Sequence, residues 1–234
     1  MRDSGHSAQL LLPEHLGALY EFHQWRNAIP ILRGAYPDEW ADILSILSSF
    51  RILRSDIGEV GTKGGGKSLV AIRMDRLFRA AGWQPQEFDT SIVVKTGGSA
   101  QEIKSPTHEV DCFKGKIALE LEWNNKTEFY DRDLNNFRLL FELRVADVGV
   151  IVTRCDELQS VFNAIGKGSS YGPTTTILSK LLRKLQGGAG GGCPVFVIGM
   201  KPTLYLDDIA DPSVGSRFVP IARTTRKRVK SHDP

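Results

Sequence analysis

The chain has 234 residues, of which 41% are hydrophobic and 24% charged, and its net charge is +3. This is an ordinary globular composition, with enough apolar side chains for a core of useful size. No apolar run approaches the ~20 residues needed to span a bilayer, and the N-terminal apolar stretch is too short for a secretory signal. These values predict neither a membrane partner nor, by bulk charge alone, a polyanion-binding protein.

Local composition is more informative than the net charge. Residues 223–230 read RTTRKRVK, which is either a solvated tail or a segment that contacts phosphate. The cysteines Cys112, Cys155 and Cys193 are odd in number and far apart, which favours reduced core residues in a cytoplasmic protein.

The first half of the chain is mostly helical in pattern. Residues 10–50 predict helices interrupted at Pro30 and Pro37, with Asp38 as a possible N-cap. A glycine-rich loop follows at 61–66. Ser68 is then a fair N-cap for a helix that Gly82 ends.

The middle of the chain predicts the order α-β-β-β-α-β. The expected strands are 91–96, 109–113, 116–123 and 148–153, and the helix before the last of them covers 131–143. The remaining expected elements are helices at 157–165 and 176–185, the linker GGAGGG at 187–192, and a strand at 195–200. The fold class is therefore α/β, with a mixed central sheet flanked by helices.

A single domain of residues 1–234 accommodates this order. We expect three parts: a helical segment at 1–50 that contributes to dimerisation, a catalytic and recognition core at 51–205, and a basic tail at 206–234.

Three carboxylates are placed together by the expected hairpin at 109–123. With Lys114-Gly115 as a two-residue turn, Asp111 faces Ala118 and lies diagonally across from Glu120. Asp111, Glu120 and Glu122 then share one face, and the apolar residues occupy the other. The apolar face comprises Val110, Cys112, Ile117, Leu119 and Leu121.

Acids gathered on one sheet face repel each other unless a counter-charge is present. Mg²⁺ prefers oxygen ligands, and the backbone carbonyl of Leu121 offers a further one. The alternative is a solvated acidic strand face without any metal. His108 lies close to this face, and we expect it to be a surface or hairpin histidine rather than a metal ligand.

The stretch HEVDCFKGKIALELEWNNK, residues 108–126, resembles the D-x(n)-E-x-(E/Q/K) active site of type II restriction endonucleases. The longer run EWNNKTEFYDRDLNNFRLLFE and the loop GKGSSYGPTTT resemble the BglII and BstYI branch of the BglII/BamHI-like group. The resemblance covers residues 50–200. It is strongest in the longer run, because the bare acidic pattern is weakly specific.

The resemblance implies Mg²⁺-dependent hydrolysis of phosphodiester bonds in DNA, with one or two ions per subunit. Asp111 and Glu120 would bind the metal. Glu122 would act as base, ligand or water-orienting group, at a position that is glutamine in the BglII branch and glutamate in BamHI. Asp75 and Glu87 are weaker candidates for a fourth polar residue.

The resemblance also implies a homodimer on a palindromic site in double-stranded DNA, with a core such as GATC and 5′ overhangs. The side chains that could read bases or contact phosphate follow the catalytic strand or lie in the loop at 166–176 and the helix after it. They are Asn124, Asn125, Lys126, Ser169, Ser170, Tyr171, Thr174, Thr175 and Lys180. The alternative for the loop is a flexible surface segment with Thr174 or Thr175 as a helix N-cap.

Two other functions compete with this prediction. Residues 61–68 read GTKGGGKS, which satisfies the phosphate-binding loop of nucleotide triphosphatases. The charged segment at 51–60 is a poor match to the buried strand that such a loop follows, so no nucleotide cofactor is expected. A non-catalytic DNA-binding module is the third possibility, and the complete acidic triad argues against it.

Overall fold

A computed structural model of the chain describes residues 8–58, 68–105 and 108–215. Its helices are α1 Glu14–Leu19, α2 Ala28–Ala35, α3 Pro37–Ser49, α4 Leu69–Ala80, α5 Phe129–Glu142, α6 Leu158–Ala164, α7 Leu178–Gln186 and α8 Pro212–Gly215. Its strands are β1 Tyr20–Trp25, β2 Ile52–Leu53, β3 Gln84–Gln86, β4 Thr90–Thr96, β5 Ser99–Ser105, β6 Val110–Lys114, β7 Ile117–Glu122, β8 Val148–Arg154, β9 Val195–Met200 and β10 Tyr205–Leu206. Two 3-10 turns lie at Arg54–Ile57 and Pro202–Leu204.

The central sheet has six strands in the order β1-β9-β8-β7-β6-β3. β7, β8 and β9 are parallel, and the other neighbours are antiparallel. Val150 of β8 packs in a core cluster with α1 to α4, and the adjacent Ile151 packs in a second cluster with α5 and α7. Helices therefore cover both faces, which explains why β7, β8 and β9 are buried along their whole length. The predicted α/β fold with a mixed central sheet is confirmed.

The sequence pattern predicted helices throughout the N-terminal segment, but the structure also contains a strand there. Residues 20–25 form β1, which pairs with β9 at the edge of the central sheet. Buried Tyr20 and Phe22 alternate there with less buried neighbours, as a strand requires. The expected break at Pro30 is also wrong, because Pro30 lies in the first turn of α2, where the missing N–H costs no helical hydrogen bond. Asp38 is not a cap, since Pro37 begins α3 and Asp38 lies in its first turn.

The same N-terminal residues pack in one core cluster with the central sheet. Leu16, Ile29 and Trp40 share this cluster with Leu119 of β7 and Val150 of β8. Residue 50 is therefore not a boundary in the packing. Most of the expected basic tail, residues 216–234, lies outside the described residues.

The prediction chose the wrong residues for the first strand of the α-β-β-β-α-β core. Residues 91–96 do form a strand, β4, but it pairs only with β5 in a separate two-stranded hairpin. β3 takes the expected place beside β6. Val93, Val94 and Ile103 of the β4–β5 hairpin are exposed, so these three apolar side chains are not buried against the sheet.

The turn of the catalytic hairpin also differs from the prediction by one residue. Lys114 pairs with Ile117 and Cys112 with Leu119, so the turn residues are Gly115 and Lys116. Gly115 has φ +57°, which glycine adopts without strain. Lys114 is the last residue of β6, and its ammonium lies 2.7 Å from Asp42 Oδ2.

This register keeps the acidic residues on one face and brings two of them closer. Extending the pairing by one residue places Asp111 directly opposite Glu120, rather than diagonally across from it. Val110 is the exception on the apolar side. It packs with Ala118 in the second core cluster, whereas Cys112 and Leu119 pack in the first.

Helix α4 begins and ends as the sequence predicts. The Ser68 hydroxyl accepts a hydrogen bond from the Ala71 N–H at 3.2 Å, and Gly82 follows the helix with φ +88°. Within the described ranges, no helix has both the length and the apolar character that a membrane crossing requires.

Candidate active site

A polar cleft of about 350 Å³ opens at the carboxyl end of β7. Its lining residues come from the start of α4, from β6 and β7 with the residues next to them, and from the start of α5. They are Ser68, Ala71, Glu109, Asp111, Glu120, Leu121, Glu122, Trp123, Asn124, Asn125, Phe129 and Arg132. The three predicted catalytic acids and Leu121 therefore lie in one cleft.

Asp111 and Glu120 are fixed by backbone groups of the facing strand. The Leu121 N–H donates to Asp111 Oδ2 at 3.0 Å, and the Asp111 N–H donates to Glu120 Oε2 at 3.4 Å. Each acid thus uses one oxygen locally. Glu120 and Glu122 are only 1% exposed, although each carries a carboxyl group.

Two residues that the sequence pattern did not assign to the site lie beside Glu120. His108 Nε2 is 3.0 Å from Glu120 Oε1 and 3.2 Å from Asp133 Oδ1. Asp133 is fully buried on α5. The available signal was its helical position, because Tyr130, Leu134 and Phe137 form the apolar face of that helix and Asp133 lies among them.

Positive charge and amide donors surround the acids. Arg132 donates to Asp133 Oδ1 from Nε at 3.0 Å and from Nη2 at 2.8 Å, and Nη2 lies 3.8 Å from Glu122 Oε1. Its guanidinium also lies over the Phe129 ring, 4.4 Å from the centroid. The Asn125 side chain donates to Glu122 Oε2 at 3.0 Å. Glu122 is thus oriented without being fully neutralised.

The protonation equilibria reflect this crowding. Burial raises the pKa of Glu120, and the Asp133 and Asp111 carboxylates raise it further. Burial likewise raises the pKa of Glu122, with Asp133 adding to the shift. For His108, burial opposes the charged form, but hydrogen bonds to Asp133 and Glu120 outweigh it and raise the pKa to about 9.

The donor set suits a divalent cation. Carboxylate oxygens are the ligands that hard cations prefer, and Asp111, Glu120 and Glu122 present them in one cleft. Asp133 Oδ2 is buried without a hydrogen-bond partner among the described residues. Buried oxygens without donors are costly unless a cation is bound nearby.

We expect the metal-free protein to lose stability as pH rises. Glu120 and Glu122 have higher pKa values in the folded chain than their ordinary 4.5, so folding favours their protonated forms and that contribution disappears as they ionise. The contribution of charged His108 is present below its ordinary pKa of 6.5 and is lost as pH rises through about 9. All three shifts have the same sign. Calorimetry in chelator should therefore show a falling melting temperature between about pH 5 and pH 9.

Glu122→Gln supplies the matched variant for this measurement. It keeps the shape and removes one ionisable group, so its melting temperature should fall less over the same pH range. A flat or rising profile for the unmodified protein would contradict the prediction.

The segment after β7 is joined to the loop at 171–176. Thr176 N–H donates to the Asn125 carbonyl at 2.8 Å, Thr127 N–H donates to the Thr174 carbonyl at 3.3 Å, and Lys126 forms an isolated bridge with Thr175. These bonds connect the loop directly to the residues that follow Glu122.

The predicted DNA-contacting residues fall into two groups. Lys126, Ser169, Ser170 and Thr174 are exposed, and Asn124, Asn125, Thr175 and Lys180 are half-buried. Asn124 donates to the Ser170 carbonyl at 3.1 Å. Tyr171, by contrast, is buried and stacks on Phe162, with ring centroids 3.9 Å apart.

Half-buried Lys180 and buried Arg154 both donate hydrogen bonds to the loop. The Lys180 ammonium donates to the Thr127 hydroxyl at 3.0 Å and also contacts the Pro173 carbonyl. Buried Arg154 donates to the Tyr171 carbonyl at 2.9 Å and to the Thr175 hydroxyl at 2.7 Å. The alternative of Thr174 or Thr175 as a helix cap is wrong, because Ile177 precedes α7 and no side chain caps it.

The other candidates lie away from the acids. Asp75 is buried under the opposite side of β6, where the Cys112 thiol lies 3.4 Å from its Oδ1. Glu87 is exposed. The phosphate-binding-loop motif at 61–68 lies outside the described residues except for Ser68, which caps α4.

Comparison with known proteins identifies the family. The family model described as restriction endonuclease BglII/BglIII matches residues 20–200, which is most of the chain. No curated protein matches the chain. The chain belongs to the BglII/BglIII restriction endonuclease family, and it is a type II site-specific deoxyribonuclease, a hydrolase that binds and cleaves double-stranded DNA. Enzymes of this family generally use divalent metal ions.

Proposed function

We propose that this enzyme hydrolyses DNA in a Mg²⁺-dependent reaction at a short palindrome with a GATC-like core and leaves 5′-phosphate ends. The observation that carries the proposal is the convergence of Asp111, Glu120 and Glu122 in one cleft. A solvated acidic strand face does not explain it, because Glu120 and Glu122 are almost completely buried.

Asp111 and Glu120, with the Leu121 carbonyl, are the proposed ligands of Mg²⁺. When bound, the ion supplies charge stabilisation at the scissile phosphate and lowers the pKa of coordinated water. His108 Nε2 lies 3.0 Å from Glu120 Oε1 and is a cationic neighbour of this acid when it is protonated.

Glu122 is the proposed general base or water-orienting group. Asn125 donates to its Oε2, and Oε1, which lies 3.8 Å from Arg132 Nη2, is the proposed acceptor of a proton from water. The water oxygen forms a bond to phosphorus while the bond to the 3′ oxygen breaks, and the products are a 5′-phosphate and a 3′-hydroxyl. Lys126, exposed just after the cleft, is proposed to stabilise charge on the phosphate.

Base recognition is proposed for the loop and the segment that follows β7. Asn124, Asn125, Ser169, Ser170, Thr174 and Thr175 supply hydrogen-bonding groups, and Lys180 contributes positive charge. The pairing of this segment with residues 174–176 gives a physical path from base contact to the position of Glu122. For Tyr171 the proposal is restricted to positioning, since its side chain is buried.

The proposed assembly is a homodimer, because two-fold symmetry matches a palindromic site. Residues 1–234 are proposed to form one nuclease domain. We place the enzyme in the cytoplasm, because its three cysteines are buried free thiols.

Digestion of phage DNA with purified protein tests this proposal. With Mg²⁺, discrete fragments whose sequenced ends share one palindrome and carry 5′-phosphates are expected. Chelator should abolish them, and sedimentation should show two chains per particle. Random degradation, or cleavage that is indifferent to chelator, would refute the corresponding part of the proposal.

A further inference from the structure

Asp133 is an acid that the proposed reaction does not use. Its side chain is fully buried and Arg132 occupies Oδ1, while Oδ2 has no partner among the described residues. A buried carboxylate oxygen without a hydrogen-bond donor costs free energy, and a bound cation reduces that cost.

His108 and Glu120 complete a set of ligand atoms around Asp133. One atom from each of the three residues lies within 4.8 Å of the other two. The histidine nitrogen is 3.0 Å from Glu120 Oε1 and 3.2 Å from Asp133 Oδ1. Two of the three residues are 1% exposed or less, so water does not replace an ion there easily.

We propose that His108, Glu120 and Asp133 form a second divalent-cation subsite, which shares Glu120 with the ion held by Asp111. The inference rests on the proposed function through that shared residue. One imidazole and two carboxylates favour a transition metal such as Mn²⁺, whereas the all-oxygen set around Asp111 suits Mg²⁺.

The subsite also gives Arg132 a defined role. By donating to Asp133 Oδ1 through two nitrogens, the guanidinium fixes the orientation of the carboxylate. Outer contacts of this kind orient metal ligands in proteins.

Mn²⁺ binding to chelator-stripped protein tests the subsite. Electron paramagnetic resonance of the free ion should show two bound ions per chain. Pulsed measurements of the bound ion should show nitrogen coupling from a coordinated imidazole. Asp133→Asn should weaken the binding of one of the two ions by at least about 10-fold, and His108→Gln should remove the nitrogen coupling.

Matched controls are available for both variants. Asp131→Asn changes an exposed acid on the same helix, paired with Lys184, and His15→Gln changes an exposed histidine that contacts Ser48. Neither should alter Mn²⁺ stoichiometry or the nitrogen coupling. Circular dichroism of each variant establishes that it is folded.

The two proposals fail in different ways. Absence of nitrogen coupling in the unmodified protein, or its persistence in His108→Gln, overturns the subsite while metal-dependent cleavage stands. Asp111→Asn should retain the coupling and lose cleavage, because Asp111 is not a ligand of the second ion. Cleavage that needs no metal would instead overturn the proposed function.

Discussion

Asp111→Asn is expected to reduce DNA cleavage by on the order of 10³-fold or more while leaving site-specific binding intact. Asparagine keeps the oxygen that accepts from the Leu121 N–H, so the hairpin geometry is preserved. What is lost is the negative charge next to Glu120. Gel-based cleavage and binding assays on one oligonucleotide duplex measure the two effects separately.

Asp38→Asn is the control for this substitution. Asp38 is exposed in the first turn of α3, and the neighbouring Glu39 lies beside Gly115, at the turn end of the hairpin and away from the acids. Its cleavage rate should match that of the unmodified protein. Lys67→Ala is informative as well, because a nucleotide triphosphatase would depend on Lys67 and be indifferent to Asp111. Full cleavage by Asp111→Asn would refute the assigned active site.

Gly149→Ala is expected to destabilise the protein by about 1–3 kcal/mol, as overpacking in a core does. A Cβ at Gly149 would lie 2.2 Å from Cδ2 of Phe137, whose side chain is fully buried. Gly149 is in β8, and Phe137 is in α5, so the clash pushes away the helix that carries Asp133. The melting temperature should fall by about 2–4 °C for each kcal/mol in a chain of this size.

Gly34→Ala provides the same chemical change without the clash. Nothing lies within 4 Å of a Cβ at Gly34 in α2, so alanine should leave stability unchanged or raise it by up to about 1 kcal/mol. Adding Phe137→Leu to Gly149→Ala should recover part of the loss. Unchanged stability in Gly149→Ala would mean that α5 is not docked against β8 as described.

Local sequence patterns were sufficient to predict the elements whose ends are marked by neighbouring residues. Ser68 and Gly82 mark the ends of α4 because capping involves neighbouring residues alone. β9 was predicted to the residue, since a short apolar run between turn signals has few alternatives. The sequence analysis did not predict β1. Its six residues lie between helices, and they form a strand because they pair with β9.

The sequence by itself determined the acidic face. Side chains alternate along β6 and β7, which puts Asp111, Glu120 and Glu122 on one side of the sheet. The observed turn lies one residue later than predicted, so each residue of β6 faces a residue two positions further along β7. A shift of two residues leaves every side chain on the same face. Only the tertiary structure decided that Asp133 and His108 join these acids. They come from α5 and from the segment before β6, and no local spacing specifies how a helix docks on a sheet. Burial, which sets the charge balance of the site, is likewise a property of that packing.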